Sequence, residues 1–402
     1  MNETMTICNA RLRGRGDQLF DIVLENGLIQ RIVAVGSPHE GTMIDAKGGL
    51  TTESFVNGHL HLDKVYTLAM AGQEALGEYN QGGMAGAMTA IERAADFKTA
   101  YDESWILPNV RTACDLAVKY GNTHIRAFAD VDTKARLEGV HALLKARKEY
   151  RGRVDIQVVA FPQDGVVREP GAEDLMVQAL EAGADVVGGI PWIEFTKADE
   201  QEHVDAMCAL ARRYDKNISM LLDDVGDPEE RTLEMLCLKT IELGWQGRTT
   251  AQHCRAMLLY NENYFRKLTA LLKQAGIGIV ADPQTGPLHA RVRELAAAGV
   301  PVALGQDDIA DAYYPFGECN MLQVAFLAAH LLWMMRSEDM ELLYDMITVN
   351  AAEVLGIKGH RLEPGGTADL VVLSESDVYH AIWYHRAPRY VIKDGVVIAT
   401  NS

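Results

Sequence analysis

GLTTESFVNGHLHLDK, residues 49–64, is the stretch on which the fold turns. A mostly apolar run leads into His59 and His61, two positions apart, and Asp63 and Lys64 follow at once. Side chains two apart on a strand point the same way, so a strand ending here delivers both imidazoles to one place. Seven further β-rich runs follow along the chain: THIRAFADVD (123–132), VDIQVVAFP (154–162), ADVVGGIP (184–191), NISMLLDD (217–224), RTTAQHC (248–254), GIGIVADP (276–283) and VPVALGQDD (300–308). Between most of them lie stretches with apolar residues at spacings of three and four, such as EDLMVQALEAGA (173–184) and RVRELAAAGV (291–300), several closed by glycine. Strand alternating with helix eight times predicts an α/β fold, a (β/α)8 TIM barrel of parallel strands.

The ends of the chain break this rhythm. Residues 4–48 alternate apolar and polar positions with Asn-Gly turn signals, and the tail does the same in TADLVVLSES and PRYVIKDGVVIAT. Both ends together predict one small β-sandwich domain, 1–50 with 356–402, beside a barrel over 51–355.

Bulk properties narrow the function. The formal charge of −18, with no local cluster of Lys and Arg, argues against nucleic acid, which needs a basic face. Cys8, Cys114, Cys208, Cys237, Cys254 and Cys319 are scattered singly, which suggests reduced thiols rather than disulfides or a thiolate zinc site. No secretory signal pattern opens the sequence, so the cytoplasm is the expected compartment. The longest apolar run, MLQVAFLAAHLLWMM at 321–335, is short for a membrane span and contains His330, so it is expected as a buried helix. Association into a homo-oligomer is left open.

In a barrel the strand ends form one rim, and the chemistry of barrel enzymes sits there. The polar residues ending these strands are His59 and His61, Asp130 and Asp132, Gln163, Glu194, Asp223 and Asp224, His253, and Asp307 and Asp308. A His-x-His pair can merely pack or cap. Asp307 favours a metal, because the end of the eighth strand lies beside the first once a barrel closes. Two imidazoles and a carboxylate suit one divalent metal, zinc first, with iron or manganese as alternatives. Such an ion lowers the pKa of bound water toward neutrality, so hydrolysis is the natural reaction.

GHLHLDK, VDIQVVAFPQDG, GADVVGGIPWIEFT, TTAQHC, ALGQDDIADAYYPFG with NMLQVAFLAAH, and GGTADLVVL resemble, in order and over essentially the whole chain, the amidohydrolase superfamily. Within it they are similar to the branch of cytosine deaminase and N-isopropylammelide isopropylaminohydrolase. The resemblance implies His59 and His61 as metal ligands and Asp307 as a metal-bound carboxylate that also takes a proton from the attacking water. It places His253 beside the water or leaving group, Gln163 and Asp308 on the heterocycle, and Lys64 over the substrate as a fixed positive charge. Each has a plainer alternative: Lys64 ion-paired, Gln163 bracing its loop, His253 simply packed. Trp192 and Tyr314 could stack on a flat ring, although rim aromatics are as often packing.

The pattern breaks in three places. The family expects a histidine ligand on strand five, where this chain has Leu221, followed by Leu222, Asp223 and Asp224. Phe128 and Gln306 stand where cytosine deaminase has two further histidines. Three outcomes compete: a metal completed by His253, Asp223 or Asp224; a heterocycle-binding barrel without turnover; or a metal-free acid–base mechanism on Asp223, Asp224 and Asp307. The expected function is metal-dependent hydrolysis of a C–N bond in a small pyrimidine-, triazine- or pterin-like ring. Metal-bound hydroxide would attack an sp2 carbon, and Asp224 or His253 would protonate the departing nitrogen. Cyclic amide opening is the alternative reaction. Substrate choice should rest on the loops 65–86 and 225–232.

Overall fold

The computed structural model describes residues 4–38, 41–71, 91, 95 and 97–401. Eight parallel strands form one sheet: β6 (Phe55–Leu60), β7 (Asn122–Asp130), β8 (Asp155–Phe161), β9 (Val186–Gly189), β10 (Asn217–Leu222), β11 (Thr249–His253), β12 (Gly278–Ala281) and β13 (Val302–Leu304), each hydrogen-bonded to the next in chain order. The sheet closes where the end of β6 meets the segment after β13, with Gln306 N donating to His59 O at 3.0 Å and His61 N donating to Asp307 O at 2.8 Å. This approach needs glycine, because a Cβ on Gly305 would stand 2.6 Å from His59 Cβ. Helices such as Glu138–Glu149, Lys197–Tyr214 and Glu262–Ala275 make the crossovers and bury one face on the sheet. All eight expected strands therefore occur, in the order a TIM barrel requires.

The small domain holds two four-stranded sheets. One has the order β3-β2-β1-β4, from β1 (Thr4–Arg11), β2 (Leu19–Glu25), β3 (Leu28–Ala34) and β4 (Thr42–Asp45). The other has the order β16-β15-β14-β5, from β5 (Thr51–Glu53), β14 (Leu370–Val372), β15 (Tyr390–Lys393) and β16 (Val396–Thr400). Ile7, Ile22, Leu24 and Ile29 from the N-terminal sheet pack with Leu370, Val372 and Ile392 from the other. Asn26-Gly27, with φ of 53° and 78°, makes the tight β2–β3 turn, whose two positive φ values match the twist of the flanking strands.

One expectation is corrected. The run 49–59, read as one barrel strand, is two strands. β5 pairs antiparallel with β14, Leu370 opposite Glu53, whereas β6 joins the barrel. The change of sheet falls at Ser54, inside the segment expected to be wholly barrel. Among the described residues no helix is long and apolar enough to cross a membrane, and Met321–Leu331 packs its apolar side into the barrel core. The six cysteines are all buried and none is paired with another.

Candidate active site

At the C-terminal rim, four ligand-type atoms face one another. Asp307 Oδ1 lies 3.1 Å from His59 Nε2, 3.7 Å from His61 Nε2 and 3.7 Å from His253 Nε2. The Nε2 atoms of His59 and His253 are 3.4 Å apart. Donor atoms bound to one zinc at about 2.1 Å in a tetrahedron stand roughly 3.4 Å from each other, so these spacings suit a single small cation. Asp307 Oδ1 is buried without a hydrogen-bond partner. Such an orphan is costly in a protein interior unless something else engages it.

The protonation states agree with ligation, which needs neutral imidazole and ionised carboxylate. Burial, aided by Lys64, pushes His61 well below its usual range, and burial with Arg255 does the same for His253. Burial opposes ionisation of Asp307, but His253 and His59 beside it hold its carboxyl well below the usual carboxylate range. The backbone is strained at this rim: His253 and Asp307 both have φ of 65°, and Cys254 has 52°. Non-glycine residues hold such angles only where their surroundings impose them, and functional sites concentrate them.

His59 Nδ1 lies 3.0 Å from Gln252 Oε1, and Gln252 Nε2 donates to Ser219 Oγ at 2.8 Å, which orients the ring. Phe128 packs on His59, with centroids 4.2 Å apart. On the other oxygen of Asp307, Thr285 Oγ1 donates at 2.7 Å and Arg255 Nη2 at 3.3 Å.

Leu221 lines the cavity over these atoms and belongs to an apolar cluster with Phe128, Phe161, Ile190 and Trp192. The cavity has an empty volume of about 420 Å³ and is also lined by Gln163, Asp224, Arg255, Asp308 and Tyr313. The adjacent aspartates after β10 separate. Asp223 turns away, with Oδ1 accepting from Thr232 Oγ1 at 2.8 Å and Leu233 N at 2.9 Å and Oδ2 accepting from Tyr260. Asp224 faces the cavity, 2.6 Å from Arg255 Nη1, and burial pushes its carboxyl up to about 6 against the pull of Arg255.

Lys64 Nζ lies 3.2 Å from each oxygen of Asp130 and donates to Gln163 Oε1, so the Gln163 amide nitrogen is the end left to face the cavity, 3.3 Å from the Tyr313 hydroxyl. Burial, with Asp307 and Asp311 alongside, holds Asp308 well above the usual carboxylate range. Tyr314 is not part of the wall. It packs edge-on against Phe316, centroids 5.6 Å apart, and its neighbour Tyr313 lines the cavity in its place. Glu194 is occupied with bracing, accepting from the Val166, Val167 and Arg168 amides and paired with His203 at 2.7 Å. Of the two expected specificity loops, 225–232 is described, whereas 72–86 lies outside the described residues.

Sequence reasoning missed Arg255 and Tyr313 at the cavity, Asp282 and Thr285 in contact with Arg255, and Lys98, which lies 3.2 Å from Asp130, 3.0 Å from Asp132 and 2.7 Å from Asp164. Asp282, directly after the seventh strand run, obeyed the strand-end rule and could have been found. Arg255 gave no such signal, because only the left-handed turn at 253–254 aims it inward.

Comparison with known proteins fits this geometry. Residues 42–399 match the profile described as Amidohydrolase family. N-isopropylammelide isopropyl amidohydrolase from Pseudomonas sp. (strain ADP) is 32% identical over 404 residues, spanning 99% of this chain and 98% of that protein. Pterin deaminase from Rhizobium rhizogenes is 26% identical, over 94% of this chain and 87% of its own length. The crystal structure of 5-methylcytosine deaminase from Klebsiella pneumoniae liganded with 5-fluorocytosine superposes with a TM-score of 0.90 at 32% identity, covering 99% of this chain and 98% of that one.

Proposed function

Since the chain belongs to the amidohydrolase family, we propose that it hydrolyses an exocyclic C–N bond of a small nitrogen heterocycle that carries a ring carbonyl. The observation that carries this reading is the convergence of His59, His61 and His253 on Asp307 at a cavity lined by both hydrogen-bonding and apolar groups. Relatives named for a substituted ammelide, a pterin and a methylated cytosine support the substrate class.

These four residues would hold one divalent metal, zinc first. When bound, it supplies the acidity that makes water a nucleophile at neutral pH. His253 takes the place in the donor set that Leu221 leaves, so it is not the proton carrier. Asp307, ionised, accepts the proton of the attacking water. Asp224, whose carboxyl titrates near neutrality, delivers a proton to the departing nitrogen. The protonated Asp308 and the Gln163 amide N–H both donate, which selects a ring edge bearing acceptors such as a carbonyl oxygen. Lys64 fixes the orientation of that amide rather than meeting the substrate directly. Trp192 and Leu221 cover the apolar face of the ring and exclude water. That the six buried cysteines form no disulfide with one another supports work in the reducing cytoplasm.

The test is turnover by purified protein loaded in turn with zinc, iron and manganese, against aminopyrimidines, aminotriazines, pterins, purines and cyclic amides, read as amine release and product mass. We expect one class to react, activity to vanish with chelator and return with metal, and His59→Ala to lose at least about a thousandfold in kcat/KM. Inertness toward every class by the fully loaded protein refutes the reading.

A further inference from the structure

We propose that Asp282 and Arg255 form a positioning pair that lets strand β11 supply the metal ligand that β10, with Leu221, does not. This rests on the metal-holding role proposed for His253.

The two left-handed residues His253 and Cys254 fold the end of β11 so that positions 253 and 255 both face the barrel axis. Arg255 is 3% exposed and reaches three carboxylates. Its Nη1 lies 2.6 Å from Asp224 Oδ1, and its Nη2 lies 2.9 Å from Asp282 Oδ2, 3.3 Å from Asp307 Oδ2 and 2.6 Å from Thr285 Oγ1. A planar fork holds several oxygens at fixed angles, which an ammonium cannot do. Without a cation at this point, three buried carboxylates would repel one another.

Asp282 is the member that faces His253. Its Oδ2 lies 3.1 Å from His253 Nδ1 and 3.0 Å from Thr285 Oγ1. With Nδ1 on the Asp282 side, Nε2 is directed at His59 Nε2 and Asp307 Oδ1. The approach to Asp282 is close but out of hydrogen-bond alignment, so contact and charge, more than a formed bond, set the ring. The three histidines differ in this respect. His59 has a neutral amide behind it, and His61 Nδ1 is buried without a hydrogen-bond partner. Among the described residues, His253 alone of the three has a carboxylate within 3.1 Å of its Nδ1. A carboxylate behind an imidazole fixes its orientation and raises its basicity as a ligand. The site thus places the donor with a carboxylate behind it on the strand adjacent to the leucine.

The pair is tested by cobalt and zinc affinity, measured in competition with a chromophoric chelator, and by the visible spectrum of the cobalt-loaded protein, which reports ligand number and geometry without turnover. Wild type is compared with Asp282→Asn, Arg255→Lys and His253→Ala, with folding monitored by circular dichroism. Asp282→Asn keeps the shape and Arg255→Lys keeps the charge, so each removes one property with little disturbance. We expect wild type to bind about one ion per chain. Each of the two positioning variants should weaken affinity by about 10- to 100-fold and shift the cobalt bands, and His253→Ala should change the spectrum most. If wild type binds the ion and the two positioning variants match it in affinity and spectrum, the positioning role is wrong while the metal reading stands. If wild type binds no ion, the metal reading fails and takes this inference with it.

Discussion

Leu221 is 3% exposed and packs with Phe128, Ile190 and Trp192, so its position has become part of an apolar wall. Leu221→Cα-for-Cα replacement by histidine, Leu221→His, would return a nitrogen ligand to that wall. We expect this variant to retain its metal at least about tenfold longer in dialysis against chelator, followed by elemental analysis, because one more ligand is engaged. We also expect it to lose about 1–3 kcal/mol of stability in thermal or denaturant unfolding, because an imidazole replaces a leucine among aromatic and aliphatic neighbours. Unchanged retention would mean that the donor set is already complete without position 221. At this scale much was legible. His61, Gln163, Asp224, His253, Asp307 and Asp308 were all named from strand ends, and they line one cavity with Trp192, while His59 touches Asp307 and Lys64 touches Gln163. Their division of labour was not legible, since it depends on which oxygen of Asp307 faces which nitrogen, and on the Lys64 contact that orients Gln163.

The end of β10 shows what an element decides that its residues alone do not. Consecutive aspartates at a strand end point to opposite sides, but the sequence does not say which one enters the barrel. The structure gives Asp224 to the cavity and Asp223, at φ 47°, to the start of the helix Thr232–Leu243. That helix has no side-chain cap from the residue preceding it, and Asp223 instead accepts the Leu233 amide and the Thr232 hydroxyl. Asp223→Ala should therefore cost about 2–4 kcal/mol in denaturant unfolding, since Leu233 N–H, Thr232 and Tyr260 would all lose their acceptor, while metal content stays at the wild-type level. A loss of metal without a loss of stability would reverse the assignment of the two aspartates. The strand boundaries in the sequence were close, because β-branched runs bounded by Gly, Pro and Asp mark them well. The failure at 49–59 has a physical cause: both strands read as apolar, and nothing local distinguishes burial in one sheet from burial in another.

Across the whole molecule, a buried lysine of the sandwich reaches a half-exposed aspartate of the barrel. Lys393, at the end of β15, lies 2.7 Å from Asp369 and 2.8 Å from Asp155 at the start of β8. Its ammonium also accounts for why His124, His360 and Asp369, though close together, make a poor cation site. Lys393→Met would leave Asp369 buried without its counter-charge, a change worth about 3 kcal/mol, so the melting temperature should fall by a few degrees. A drop confined to the small domain, seen as a second, earlier transition, would show that the two units are less tightly coupled than this clip implies. The two-part architecture was readable from the break in rhythm at the chain ends, whereas the clip was not, because Lys393 and Asp155 lie far apart in sequence. The passage between the two units carries one more consequence. Ser54 is held in place, its amide donating to Asp369 O at 2.9 Å, its hydroxyl 2.6 Å from Thr123 Oγ1, and its carbonyl 2.9 Å from His360 Nε2. Only four residues separate it from His59, and side chains in that run alternate faces. A codon gained or lost between 54 and 59, where the pairing of β6 with β7 is already irregular at two points, would have to be absorbed there for His59 and His61 to keep facing Asp307.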